Sequence, residues 1–143
     1  MNIKFSLVFI FALMQIYNVM ANTQPRIGAA GAPSLIEPNT VDNKYIELAI
    51  DHLNNKPERG FYSQFVKIVK ATKQVVAGML YDIEYMVGLT DCKLSEKKNK
   101  QQLKDCKQTG QESCRVRIVD QAWLNKTEVL EHKCGEDAKK KNN

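Results

Sequence analysis

The chain has little of what catalysis usually requires. It carries two histidines and one tryptophan in 143 residues, and it has no GxSxG elbow, HExxH helix or phosphate-cradling glycine loop. His52 and His132 are isolated in the sequence and lack metal-ligand spacing, so they read as a satisfied helix residue and a strand residue. No catalytic residue, metal or cofactor is expected. Long apolar runs are missing too. Phe5 to Leu13, interrupted by Ser6, is too short to span a bilayer, so no membrane partner is expected. Aromatic residues are not interleaved with Lys97, Lys98, Lys100, Lys104 and Lys107, which excludes a nucleic-acid surface. A solvated loop accounts for these lysines, and a disordered tail over residues 135–143 accounts for Lys139 to Lys141.

What is present begins with a leader. Lys4 supplies a positive start, an apolar stretch follows, and Val19-Met20-Ala21 fits a small-residue cleavage site. Residues 1–21 thus read as a secretory signal with Asn22 as the new N-terminus. The leader holds one lysine and no acid, so its removal lowers the formal charge from +5 to +4. The remainder suits one domain with a single core. Four cysteines behind a leader read as two disulfides of a secreted protein, with three connectivities open in principle. The midpoint of Cys114 and Cys134 falls at residue 124, inside Trp123-Leu124-Asn125. Antiparallel strands paired about that turn would set these two cysteines opposite each other, leaving Cys92 to Cys106. That second bridge closes a short Lys-rich loop and contributes ~3 kcal/mol in the chain-entropy view.

Residues 22–30 mix Gly, Ala, Pro and polar side chains without periodicity and read as a flexible trunk before a domain over 31–134. Thr40 is placed to cap a helix opening with Val41 and Asp42 and ended by Asn54-Asn55-Lys56-Pro57. Val41, Tyr45, Leu48, Ala49, His52 and Leu53 fall on one stripe of about four turns, with Lys44, Glu47, Asp51 and Asn54 opposite. Strand patterns follow at Phe61 to Ala71, Tyr81 to Val87, Arg115 to Val119 and Val129 to Cys134, with a short one near Leu35. This order predicts an α+β fold in which an antiparallel sheet wraps one long helix.

Two turns stand out. Gln74-Val75-Val76-Ala77-Gly78 places an uncharged apolar tip between strand-like runs, where turns are normally polar. Gly78 supplies the residue free to take a positive φ as the chain reverses. Ala122-Trp123 lies at the tip of the hairpin framed by Cys114 and Cys134, far from any core. With Gly31-Ala32-Pro33 upstream, these features resemble the secreted, two-disulfide (type 2) cystatins from about Gly31 to Cys134, whose pairing pattern agrees with Cys92–Cys106 and Cys114–Cys134. The resemblance implies a cystatin-like fold and reversible occlusion of papain-like cysteine proteases of the cathepsin type by a monomer. It places Ala30, Gly31, Gln74, Val75, Val76, Ala77, Gly78, Ala122 and Trp123 in the docking edge.

Departures from the family pattern qualify that expectation. The family usually has proline before the tryptophan, and here it is Ala122, which leaves the turn less constrained. The trunk glycine reads as Gly31 from its spacing to the helix, but Ala29-Ala30 are small for the pocket they would fill. Arg26-Ile27-Gly28 offers an alternative register with Gly28 as pivot. Some family members inhibit legumain through an exposed Asn after the helix. Pro57-Glu58-Arg59-Gly60 has none there, and Asn55 lies at the helix end, so strong legumain inhibition is not expected. Asn125-Lys126-Thr127 is an N-glycosylation sequon beside Trp123. Three rival readings remain: a cathelicidin-like pro-piece, disfavoured because only Gly135 to Asn143 follows Cys134, too short for a long cationic peptide; a secreted enzyme, which lacks a nucleophile; and a non-inhibitory binding or signalling relative, the strongest.

Overall fold

The structure, a computed structural model, describes residues 31–135. The leader, the trunk with Ile27, Gly28, Ala29 and Ala30, and the tail beyond Gly135 lie outside the described residues. Among the described residues, β1 (Ser34–Ile36), β2 (Phe61–Val76), β3 (Gly78–Lys93), β4 (Gln108–Gln121) and β5 (Lys126–Cys134) form one antiparallel sheet in that order, and an α-helix, α1 (Asn43–Asn54), joins β1 to β2. The α+β layout is therefore that of an antiparallel sheet around one helix. No helix among the described residues is long and apolar enough to cross a membrane.

The helix begins later than its sequence pattern suggests. Asp42, not Thr40, is the cap: its carboxylate accepts from the Lys44 backbone N–H at 2.9 Å. Thr40 closes a short 3-10 turn at Pro38–Thr40 instead, sending its backbone N–H (2.9 Å) and its hydroxyl (2.7 Å) back to the Glu37 carbonyl. Val41 is then extended and drops its side chain into the core. The helix spans 12 residues, shorter than four turns, because these local bonds compete with helix extension.

Tyr45, Ile46, Ala49 and Leu53 form the buried stripe of α1. They meet Ala71 of β2, Ile83, Tyr85 and Val87 of β3, and Cys114, Val116 and Ile118 of β4. Ala49 and Ala71 are fully buried, and their small side chains let the helix lie close to the sheet. Each large aliphatic side chain buried here contributes ~1.5–3 kcal/mol. Register shifts at Phe65/Lys67 and Ile68/Lys70 increase the local twist of β2, so the long β2–β3 arm curves about the helix. Phe61 to Ala71 is only part of a strand that runs on to Val76, carrying the sheet beyond the core to its apolar turn.

Cys92 is joined to Cys106 (Cα–Cα 5.7 Å) and Cys114 to Cys134 (4.0 Å), the latter pair being register partners across β4 and β5. His52 lies in α1 and His132 in β5, as expected. Though isolated in the sequence, they meet in space with their Nδ1 atoms 3.0 Å apart. Their separation of 80 residues hides the contact from any motif.

Candidate functional site

At one end of the sheet three segments converge. The first hairpin turns at Ala77 between β2 and β3, where Gly78 adopts φ +128°. A Cβ at Gly78 would also stand 2.8 Å from the Asp120 carbonyl oxygen, so both backbone conformation and space require glycine. Val75 (64 % exposed) and Val76 (43 % exposed) protrude beside it. The second hairpin turns through a 3-10 segment, Ala122–Leu124, and is closed by Asn125 in the left-handed region. Trp123 is 66 % exposed at its tip, and Leu124, which was not among the expected docking residues, is 60 % exposed. The third segment is the chain entering β1, where Gly31 adopts φ +88° beside the Val75 carbonyl.

Two glutamine side chains join these segments. Gln74 Nε2 donates to the Gly31 carbonyl oxygen at 2.5 Å, and Gln121 Nε2 donates to the Ala77 carbonyl oxygen at 2.9 Å. Of the expected residues, Gly31 and Gln74 to Gly78 thus lie together, and the Gln121 amide ties Ala122 and Trp123 to them through the adjoining residue. Ala30 lies outside the described residues. Asn125 is exposed next to Trp123, and the sequon's Thr127 hydroxyl points to Asp120 (3.2 Å).

Beneath the second turn Asp120 holds the hairpin to the helix. Its carboxylate accepts from the Tyr45 hydroxyl at 2.5 Å and pairs with Lys44 Nζ at 2.9 Å. The bonds from Tyr45 and Lys44 keep the Asp120 carboxyl below its usual range. Burial, then the bond to Asp120, pushes the Tyr45 hydroxyl up, so it stays a donor. Its ring packs on Tyr81 with centroids 4.3 Å apart. Sequence reasoning missed Asp120, Gln121 and Tyr45 as supports. A polar pair directly before an apolar turn was the available signal, but its partners lie on other elements.

The arrangement is an edge of exposed apolar side chains, Val75, Val76, Trp123 and Leu124, which suits insertion into another protein's groove more than binding a small molecule. A cavity of about 590 Å³ lined by Ile46, Ile50, Phe65 and Leu103 lies towards the other end of β2. The groups of metal-binding atom types among the described residues each include two disulfide-bonded cysteines, which offer no thiolate.

Comparison with known proteins gives a consistent result. A cystatin domain family profile matches residues 31–133. Cystatin Pr17a of Platymeris rhadamanthus is 30% identical over 132 residues, covering 92% of this chain and 96% of that protein. Cystatin of Gallus gallus is 22% identical over 134 residues, covering 89% and 94%. The salivary cystatin of the soft tick Ornithodoros moubata superposes with a TM-score of 0.59 at 24% identity, over 74% of this chain and 98% of that one. Dimeric human cystatin F superposes with a TM-score of 0.55 at 26% identity, over 79% and 94%.

Proposed function

The chain belongs to the cystatin family, and on that premise we propose that it is a secreted, reversible inhibitor of papain-like cysteine proteases. Gly31, the Gln74 to Gly78 turn and Ala122-Trp123 enter the protease cleft as one wedge, preceded by Ala30. The wedge covers the reactive thiolate without offering it a scissile bond. The chain survives the encounter and acts stoichiometrically, as an inhibitor and not an enzyme. All three segments come from one chain, so a monomer suffices. Leader residues 1–21, two disulfides and the Asn125 sequon support an extracellular, glycosylated protein.

One observation carries the reading: an exposed apolar edge whose segments are already tied together by Gln74 and Gln121. Little conformational freedom is then lost on docking, and the apolar contacts of Val75, Val76 and Trp123 are retained as affinity. The runner-up, a non-inhibitory binding protein of the same fold, is favoured by Ala122 at the position where the family has proline.

Titration of active-site-counted papain with folded, disulfide-intact protein tests the proposal. Inhibition should reach completion near equimolar ratio and reverse on dilution, while serine and aspartic proteases stay active. Full papain activity at micromolar protein would sink the inhibitor reading and leave the binding protein.

A further inference from the structure

The two hairpins meet through adjacent residues at the end of β4. Gln121 sends its amide to the Ala77 carbonyl oxygen (2.9 Å), at the reversal between β2 and β3. Gly78 lies against the same segment: a Cβ there would sit 2.8 Å from the Asp120 carbonyl oxygen and 3.0 Å from Gln121 Cγ. Asp120 is held from the helix side by Lys44 and Tyr45, and within its own hairpin by Thr127.

We propose that Gln121 is a positioning residue of the inhibitory edge, clasping the first turn to the second through the Ala77 carbonyl, with Asp120 anchoring the clasp to α1. The proposal rests on the inhibitor reading and deepens it, since it assigns a role to a side chain outside the docking segments. Three physical points carry it. A turn at the end of a 16-residue strand pair projects far from the core, and without lateral contact it samples several orientations. A neutral amide suits this contact. It donates one hydrogen bond and adds no charge to an edge that must enter an apolar groove, whereas a carboxylate would repel the carbonyl. The clasp also acts where Ala122 leaves the second turn without proline's fixed φ. Holding Gln121 restrains the chain one residue before that turn.

The test uses the full mature protein with three substitutions. Gln121→Met keeps the size and loses the donor, Gln121→Glu leaves only acceptors, and Gln121→Lys restores a donor. Two readouts are taken: backbone ¹⁵N order parameters of the free protein, and association and dissociation rates with papain. The Met and Glu variants should lose order at Val76, Ala77 and Gly78 with α1 unchanged. Gln121→Met should dissociate about fivefold faster, as expected for one neutral hydrogen bond, at an unchanged association rate and unchanged Tm, and Gln121→Glu at least as fast. The Lys variant should recover most of the order, while its added charge keeps release from an apolar groove fast. Native order and native dissociation in Gln121→Met overturn the proposal, as does a loss of order that Lys fails to recover or a loss that tracks a fall in Tm. If the native chain does not inhibit papain but the turn still loses order in Gln121→Met, the clasp stands and the inhibitor reading falls.

Discussion

His52 on α1 and His132 on β5 face each other with their Nδ1 atoms 3.0 Å apart, and His132 Nε2 lies 2.7 Å from the Tyr85 hydroxyl. A contact between two Nδ1 atoms accommodates one proton, because one ring must donate and the other accept. Protonating both rings leaves two N–H groups pointing at each other. The charged groups around the pair are the cations Lys56 and Arg59, and Arg59 is already engaged with Glu112. Burial first, then His52 and these cations, push His132 down to about 4, and burial also lowers His52.

Stability is therefore expected to fall as pH drops from about 6.5 towards 4. In that window the unfolded histidines bind protons that the folded pair resists, so acid favours unfolding. Above it both states hold neutral rings, and the pair contributes no pH dependence. Urea midpoints at about pH 7 and about pH 4.5 measure the effect. The drop should be larger in the native chain than in His52→Gln, which keeps a donor for His132 and removes one titrating ring. Equal drops would assign the pH dependence to other groups.

Gly78→Val should weaken papain binding by roughly thirtyfold or more, from ~2–3 kcal/mol of backbone strain and displacement at the tip. Its φ of +128° and a Cβ 2.8 Å from the Asp120 carbonyl oxygen both oppose a branched side chain. Gly60→Ala is the control. Gly60 also has positive φ (+74°) but no atom within 4 Å of an added Cβ. It should lower Tm while papain affinity per folded molecule is kept. Native affinity in Gly78→Val would remove this turn from the interface.

Trunk truncation separates the two glycine registers. With Gly31 as pivot, Ala30 fills a pocket usually occupied by valine, two carbons larger and worth roughly 1.5 kcal/mol or about tenfold. Starting the chain at Gly31 should then weaken papain binding by less than about tenfold. The Gln74 bond to the Gly31 carbonyl supports this register. If Gly28 is the pivot, Ile27 is the anchor, and both truncation and Ile27→Ala should cost ~2–3 kcal/mol. Dissociation constants of the three proteins decide.

Legumain should not be bound strongly. Asn54 is occupied at both ends of its amide, donating to the Ser63 carbonyl at 3.0 Å and accepting from the Ser63 N–H at 2.8 Å. Asn55 caps α1, and the following turn, Pro57–Arg59, has no asparagine. An inhibition constant well below roughly micromolar would point to a site elsewhere, and Asn55→Ala would then test the helix end.

Much of the fold was legible because its signals are local. The alternation of Tyr81, Ile83, Tyr85 and Val87 places these side chains on the helix-facing side of β3 wherever β3 lies in the sheet. The stripe of Tyr45, Ala49 and Leu53 does the same for α1. The apolar Val75-Val76-Ala77 tip and the cysteines about residue 124 were equally readable, since hairpin geometry is set by a few consecutive residues. The helix start was misread because Thr40 and Asp42 are both good caps, and Pro38 decided between them by building a 3-10 turn that uses Thr40.

By itself, then, the sequence determined the order of helix and strands, the half of the chain that carries both disulfides, and the two apolar turns. Periodicity and turn chemistry act over a few residues and need no knowledge of distant neighbours. Only the tertiary structure decided that Gln121 reaches Ala77 across 44 residues, that His52 meets His132 across 80, and that Asp120 ties the second hairpin to Lys44 and Tyr45. These partners are chosen by strand register and by how closely α1 settles on the sheet, and that depth follows from packing around Ala49 and Ala71.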